Sequence, residues 1–123
     1  MLRQPWQQVR GSEKDELEKS STHVAAILNN TIIAVGRIHI SNQSEAQIRY
    51  MAVDETYQSK GIGRLILKYL EQAATEQNSR VVFLHARENA LAFYKKNQYQ
   101  LIKPSHMLYG KIKHFLMKKT LSD

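Results

Sequence analysis

The sequence predicts an α/β domain in which a mixed, mostly antiparallel sheet is flanked by helices. Strand-like segments separated by short turns fill the first half of the chain, a glycine turn leads into an amphipathic helix, and a short apolar run follows that helix. Such a strand–helix–strand unit places its two strands parallel through a right-handed crossover. The 123 residues suffice for one core, so we expect residues 1–123 to form a single domain.

Three strand-like segments precede the glycine turn. Residues 23–28 and 31–40 are rich in apolar side chains, and Asn29-Asn30 between them predicts a tight turn that tolerates positive φ angles. Residues 47–53 alternate as a strand does, and we expect both of its faces to be covered. Strict alternation places on one face Ile48, Tyr50 and Ala52. Residues 1–22 are polar and fit either a short helix or a surface loop.

The second half of the chain alternates helices and strands. An apolar stripe with helical spacing predicts a helix over residues 65–77. The nearly continuous apolar run over residues 81–86 is typical of a buried parallel strand. The remaining predicted elements are a helix over 89–96, antiparallel strands over 99–103 and 112–118, and a loop over 104–111.

The turn between the third strand and the first long helix has the properties of an anion site. Gly61 and Gly63 let the backbone approach a ligand, the helix N-terminus presents N–H groups, and Lys60 and Arg64 add positive charge. A Walker loop fits worse because it has four residues between its glycines, and a dinucleotide-binding fingerprint has a third glycine where this chain has Ile66. A glycine turn that only starts a helix is the structural alternative.

Two motifs in this order resemble the GNAT superfamily of N-acetyltransferases. The pattern Gln-x-x-Gly-x-Gly from Gln58 to Gly63 is similar to the family's pyrophosphate loop. Downstream, Ala90, Phe93 and Tyr94 match a helix that commonly has the pattern Asn-x-x-Ala-x-x-Phe-Tyr. The Asn position of that pattern holds Arg87, and the nearest asparagine is Asn89.

The resemblance has structural implications that the sheet pattern alone does not give. It implies a cofactor groove that splits the sheet. Little sequence precedes Arg3, so we expect the family's first strand to be missing and residues 2–10 to correspond to its first helix. The opening Leu2-Arg3 and the segment His114-Phe115-Leu116-Met117 are similar to the subgroup typified by ElaA.

The resemblance also implies acetyl-CoA as co-substrate and assigns residues to it. The backbone of residues 51–53 would hold the pantetheine arm, the N–H groups of residues 59–64 would bind pyrophosphate, and Gln58 would order the loop. Asn89 would contact the cofactor, with a helix-start role as the alternative. The implied cofactor-binding residues are Met51, Ala52, Val53, Gln58, Ser59, Lys60, Gly61, Ile62, Gly63, Arg64, Asn89 and Tyr94.

Three residues are candidates for proton transfer. The resemblance implies that Tyr94 acts as general acid toward the leaving thiolate, with an ordinary pKa of ~10, and core packing is the alternative role. Glu45, near the start of the third strand, is a candidate general base or a turn residue. His85, on the predicted buried strand, is a second candidate base or a hydrogen-bonded structural histidine.

Composition narrows the classes of function. The chain has no cysteine, which excludes disulfides, thiolate nucleophiles and cysteine metal ligands, and no His and carboxylate pair has metal spacing, so we predict no metal. No apolar run approaches the ~20 residues needed to cross a bilayer and no signal-peptide core is present, so we expect a cytoplasmic protein without a membrane partner. The formal net charge of +7 favours a polyanionic cofactor over nucleic acid, because aromatic and basic residues are not interleaved.

The predicted activity is transfer of an acetyl group from acetyl-CoA to a primary amine. Direct transfer in a ternary complex is expected because no cysteine could carry a covalent acetyl group. The acceptor is left open between a small-molecule amine and a protein amine. A non-catalytic acyl-CoA-binding sensor or interaction module is the alternative, followed by a basic nucleic-acid-binding domain. A missing first strand would expose a sheet edge, so a homodimer is predicted.

Overall fold

The structure, a computed structural model, describes residues 7–11, 21–41, 44–58, 60–108 and 112–121. These residues form seven strands and two α-helices. The strands are β1 (Gln7–Gly11), β2 (Ser21–Leu28), β3 (Thr31–Ile40), β4 (Glu45–Val53), β5 (Val81–Arg87), β6 (Gln100–Leu108) and β7 (Ile112–Thr120). The helices are α1 (Ile62–Glu76) and α2 (Leu91–Lys96), with short 3-10 turns at Glu55–Tyr57 and Glu88–Ala90.

The strands form one sheet in the order β1-β2-β3-β4-β5-β7-β6. Every neighbouring pair is antiparallel except β4 and β5, which are parallel. The parallel pairing is confined to residues 45–47 with residues 81–83, although β4 continues to Val53 and β5 to Arg87. The two strands therefore separate after this short contact, and the predicted mixed, mostly antiparallel α/β sheet is confirmed.

The prediction that the first strand is missing is wrong. Residues Gln7–Gly11 form β1, which pairs antiparallel with β2 from Gln7 opposite Ile27 to Gly11 opposite His23. This segment has a single aliphatic residue, Val9, so it gives neither a strand nor a helix periodicity. An edge strand is held mainly by backbone hydrogen bonds, which leave no hydrophobic signal in the sequence. The homodimer prediction loses its basis, because it assumed that this edge was uncovered.

Both described helices pack on the same face of the sheet. Helix α1 buries Ile66 and Leu70 against β2, β3 and β4, and it begins at Ile62, three residues before the predicted start. A Cβ atom at Gly36 on β3 would lie 2.7 Å from Ile66 Cγ2 and 2.9 Å from Leu70 Cδ1. Glycine at this position therefore allows α1 to approach the sheet closely. In the turn before β3, Asn29 and Asn30 have φ angles of 51° and 65°, as predicted.

A β-bulge in β4 reverses the predicted alternation of its side chains. Ile38 of β3 lies opposite Ile48, whereas Arg37 lies opposite Tyr50, so Arg49 is the extra residue. Ile48 and Met51 consequently share the face that packs on α1. Tyr50 is 45% exposed, so the expectation that both faces of this strand are covered is wrong for its second half.

Two further predictions for the second half of the sheet need correction. Strand β5 alternates buried and more exposed residues and pairs antiparallel with β7 along its whole length, so one face only is covered. The predicted loop over 104–111 is wrong up to Leu108, because β6 continues through Pro104, which lies opposite Phe115. Register shifts flank this proline, and an edge strand tolerates proline at such irregularities.

Candidate active site

A groove of about 1160 Å³ opens where β4 separates from β5. It is bounded by the end of β4, the first turns of α1, and the segment that includes α2. The sequence-predicted cofactor residues that line it are Met51, Ala52, Val53, Gln58, Gly61, Gly63, Arg64, Asn89 and Tyr94. Lys60 does not line the groove, Ile62 is 1% exposed and packs in the core, and Ser59 lies outside the described residues.

The N-terminus of α1 opens into this groove without a side-chain cap. Gly61 is the N-cap residue with φ 83°, a left-handed conformation that glycine adopts without strain. A Cβ atom at Gly61 would meet no other atom within 4 Å, so the space in front of it is open. The first N–H groups of a helix have no intrahelical partner, and the first turn of α1 contains no acidic residue. This geometry suits an anion.

The loop before α1 is fixed to the end of β4. The Gln58 side-chain amide donates a hydrogen bond to the Val53 carbonyl at 3.1 Å. Asp54 accepts a hydrogen bond from the Thr56 backbone N–H at 2.9 Å, and its own N–H donates to the Ile33 carbonyl at 2.7 Å. The strand end, the loop and the helix start are thereby held in one arrangement.

Tyr94 lies beside β4 in the same groove. Its side chain is buried, and its hydroxyl lies 3.8 Å from Met51 Sδ, a weak acceptor. Its ring makes edge contacts with Phe93 at 5.0 Å and with Tyr99 at 5.7 Å between centroids. Burial raises the pKa of Tyr94 to about 12, above the ordinary value assumed from the sequence. The hydroxyl is therefore protonated and neutral throughout the physiological pH range.

A partly buried polar cluster beside Tyr94, which includes the groove-lining Glu71 and Lys119, was not predicted from the sequence. The Tyr99 hydroxyl donates to Glu71 Oε2 at 2.8 Å, and Lys119 Nζ donates to Glu71 Oε1 at 3.0 Å. Burial, followed by the negative charge of Glu71 and this hydrogen bond, raises the pKa of Tyr99 strongly. The helical pattern gives no signal for this contact, because Glu71 has the spacing of an ordinary exposed residue on α1.

Glu45 and His85 lie elsewhere, on the face of the sheet opposite α1 and α2. No helix among the described residues covers that face, and we call it the open face. There they line a cleft of about 420 Å³ that contains neither Tyr94 nor Met51. His85 is exposed rather than buried as predicted, and its ring lies edge-on to Phe83 at 6.3 Å. Glu45 Oε2 lies 3.8 Å from Lys118 Nζ. The structure therefore does not gather the three predicted catalytic residues into one cleft.

The two candidate bases differ in their distance from the groove. Glu45 precedes Met51 by six positions on β4, which corresponds to roughly 18 Å at the usual rise of a strand. His85 lies two positions beyond Phe83, which pairs with Gln47, so it is approximately level with Arg49. Along the strand direction His85 is thus two positions from the level of Met51, whereas Glu45 is six positions from it.

Among the described residues, no group of three or more His, Asp or Glu side chains could hold a metal ion. Within the same part of the chain, neither helix has the length and apolar character needed to cross a membrane.

Comparison with known proteins places this geometry in a family. A profile described as the acetyltransferase (GNAT) family matches residues 2–99. An uncharacterized N-acetyltransferase of Bacillus subtilis, YjcF, is 30% identical over 107 residues, which cover 87% of this chain and 76% of the relative. The chain therefore belongs to the acetyltransferase (GNAT) family, and it is an enzyme of the acetyltransferase class.

Solved structures agree in fold. A GNAT family acetyltransferase from Elizabethkingia anophelis with acetyl-CoA bound is similar with a TM-score of 0.76 and 16% identity, over 97% of this chain and 100% of that one. An aminoglycoside 6'-N-acetyltransferase complexed with coenzyme A is similar with a TM-score of 0.76 and 14% identity, over 85% of this chain and 74% of that one. The narrower similarity to the ElaA subgroup stays a prediction.

Proposed function

We propose that the protein transfers the acetyl group of acetyl-CoA directly to a primary amine within a ternary complex. The observation that carries this proposal is the uncapped, glycine-initiated N-terminus of α1, which opens into the same groove as the end of β4 and the Tyr94 hydroxyl. The free N–H groups at the start of α1 can bind the diphosphate of acetyl-CoA, and the edge of β4 that no longer pairs with β5 can bind its extended pantetheine arm. The residues present therefore fit acetyl-CoA.

Each side of the groove has a different proposed role. The N–H groups of residues 62–64 bind the pyrophosphate, and Arg64 adds a positive charge at the groove wall. Beyond Gln47 the backbone of β4 no longer pairs with β5, so those backbone groups of residues 51–53 that bond neither to β3 nor to Gln58 can bind the pantetheine arm. A backbone N–H of this segment polarises the thioester carbonyl, where negative charge develops during transfer.

Tyr94 acts on the leaving thiolate as a hydrogen-bond donor. An ordinary thiol has a pKa of about 8.5, so complete proton transfer from a phenol with a pKa of about 12 is unfavourable. A neutral hydroxyl nevertheless stabilises a developing anion strongly in a site from which water is excluded. Tyr94 is therefore proposed to lower the barrier for thiolate departure without being deprotonated in the resting enzyme.

The amine must lose a proton before or during attack, and His85 is the better candidate base. It lies approximately level with Arg49, two positions from Met51, whereas Glu45 is too distant for direct contact with a thioester beside Met51. We propose that His85 accepts the proton through water from the open face. Glu45 then has an indirect role, through its ion pair with Lys118.

Binding of acetyl-CoA, measured by calorimetry, tests the proposal. We expect acetyl-CoA to bind, and S-acetyl-N-acetylcysteamine, which has the thioester but no nucleotide, to bind at least a hundredfold more weakly. Arg64→Gln should weaken acetyl-CoA binding about tenfold, as expected for loss of a charge-assisted contact. The matched control Lys95→Gln removes an equal charge from an exposed position on α2 outside the groove and should leave the affinity unchanged. No detectable binding of acetyl-CoA would refute the proposal.

A further inference from the structure

The open face is positively charged around the point where β4 and β5 separate. Because successive side chains of a strand point to opposite faces, a strand residue on the open face has sequence neighbours that pack toward α1. Arg49 donates a hydrogen bond to Gln47 at 3.2 Å, and Gln47 follows the fully buried Ala46. The basic residues that we place on this part of the open face are Arg49 of β4, Arg87 of β5, Lys103 of β6 and Lys118 of β7.

The negative charge in the open-face cleft is small and already compensated. Among the described residues that line it, Glu45 is the sole carboxylate, and Lys118 Nζ lies 3.8 Å from its Oε2 atom. Lys103 is exposed on β6, and the described part of the chain offers it no ionic partner. Among the described residues, positive charge in the cleft therefore exceeds negative charge.

The remaining wall of the cleft suits a small ligand with an apolar body. Phe83, Pro104 and Leu116 supply apolar surface between the basic groups. Ser105 Oγ is buried in the same wall and has no hydrogen-bond partner among the described residues. A hydroxyl in this state can donate to an anionic oxygen after a rotation about χ1.

We infer that the amine acceptor carries an anionic group, a carboxylate or a phosphate, which Lys103 binds in the open-face cleft. The inference rests on the proposed function, because it assumes that an amine enters from this face to reach the groove. A polycationic amine is disfavoured, since its additional ammonium groups would approach Arg49, Arg87 and Lys103, and Glu45, the sole carboxylate among the described lining residues, is already paired with Lys118. The acceptor is then held with its anionic group at Lys103 and its amine directed toward the groove.

Two matched pairs of acceptors separate the anionic group from the rest of the molecule. The first pair is glycyl-L-leucine and its C-terminal amide, and the second is ethanolamine phosphate and ethanolamine. Spermidine represents polycationic acceptors. Turnover is followed as acetyl-CoA-dependent release of free thiol, and binding of the same five compounds is followed by saturation-transfer difference NMR with coenzyme A present. The carboxylate and phosphate pairs distinguish the two sources of negative charge.

Lys103→Gln tests the residue, with Lys113→Gln as its control. Lys113 is an exposed lysine on β7 outside both clefts, so its substitution removes the same charge without changing the cleft. We expect Lys103→Gln to raise the KM of the preferred anionic acceptor about tenfold, to leave the KM of its neutral partner unchanged, and to leave acetyl-CoA affinity unchanged.

The outcomes separate this inference from the proposed function. Preference for the anionic member of either pair, lost in Lys103→Gln and kept in Lys113→Gln, supports the inference. Equal or greater use of the neutral compounds or of spermidine overturns it, as does the absence of both turnover and binding for every anionic compound in an enzyme that binds acetyl-CoA. Failure to bind acetyl-CoA at all refutes the proposed function instead.

Discussion

Replacing Tyr94 with phenylalanine separates the chemical role of its hydroxyl from its packing. The hydroxyl contacts Met51 Sδ at 3.8 Å, and a thioether is a weak acceptor, so Tyr94→Phe leaves no strong hydrogen-bonding group unpaired. The ring contacts with Phe93 and Tyr99 are preserved because phenylalanine keeps the same ring. The free energy of unfolding should therefore change by less than about 1 kcal/mol.

The effect on turnover should be much larger than the effect on stability. If the hydroxyl stabilises the departing thiolate, its removal should lower kcat about a hundredfold, the lower end of what a preorganised hydrogen-bond donor contributes. Acetyl-CoA affinity should change little, because the proposed binding contacts are backbone groups and Arg64. Thiol release gives kcat, calorimetry gives the dissociation constant, and urea unfolding gives the stability.

Tyr99→Phe is the matched control, since it removes the neighbouring hydroxyl. That hydroxyl donates to the Glu71 carboxylate at 2.8 Å, and hydrogen bonds to charged groups contribute about 1.5–3 kcal/mol. Lys119 remains to neutralise Glu71, so we expect the free energy of unfolding to fall by about 1.5 kcal/mol. The kcat of Tyr99→Phe should stay within about threefold of wild type. If Tyr94→Phe keeps full kcat, or destabilises the protein as much as Tyr99→Phe does, the proposed role of Tyr94 is wrong.

Three further predictions concern stability. Gly36→Ala should destabilise the protein by about 1–3 kcal/mol in urea unfolding, because its Cβ would lie 2.7 Å from Ile66 Cγ2. The loss of stability should shrink when Ile66 is also replaced by alanine. Equal losses with and without Ile66→Ala would contradict the packing argument. Gln98 has φ 79° at the end of α2, a left-handed conformation that strains a glutamine but not a glycine. Gln98→Gly should therefore raise the melting temperature by a few degrees, equivalent to about 0.5–1 kcal/mol. A lower melting temperature would show that the glutamine side chain stabilises the protein more than this backbone strain destabilises it. Burial raises the pKa of Tyr94 from 10.0 to about 12, so the unfolded chain loses this proton first and the free energy of unfolding falls as pH rises from about 10 to about 12. Tyr94→Phe should reduce that loss by about 2–3 kcal/mol. Identical pH profiles of stability for the two proteins would exclude the effect.

The sequence predicted those parts of the site that depend on backbone chemistry. Gly61 is informative because the left-handed N-cap of α1 favours glycine, and the helix that follows has a clear apolar stripe. The paired asparagines before β3 are informative for the same reason. Local conformational requirements of this kind leave a residue type in the sequence.

Features that depend on distant partners could not be predicted in this way. The bulge at Arg49 exists only in the pairing of β3 with β4, and β1 is specified by its partner rather than by its own composition. The positive φ at the end of α2 belongs to Gln98, although Asn97 is the residue type that favours it; the Asn97 side chain instead donates a hydrogen bond to the Phe93 carbonyl. Glu71 illustrates the same limit in the site, since its partners are 28 and 48 positions away in the chain.

The contacts that Glu71 makes have a consequence for how the two halves of the sheet are held at the groove. Because β4 and β5 pair only over residues 45–47 and 81–83, the backbone does not fix how far apart the two halves of the sheet lie at the groove. Glu71 extends from α1, which rests on the β2–β4 half, to Tyr99 and Lys119 beside the other half. One carboxylate on α1 thus links the two halves of the sheet at a level where their backbones are not hydrogen-bonded to each other.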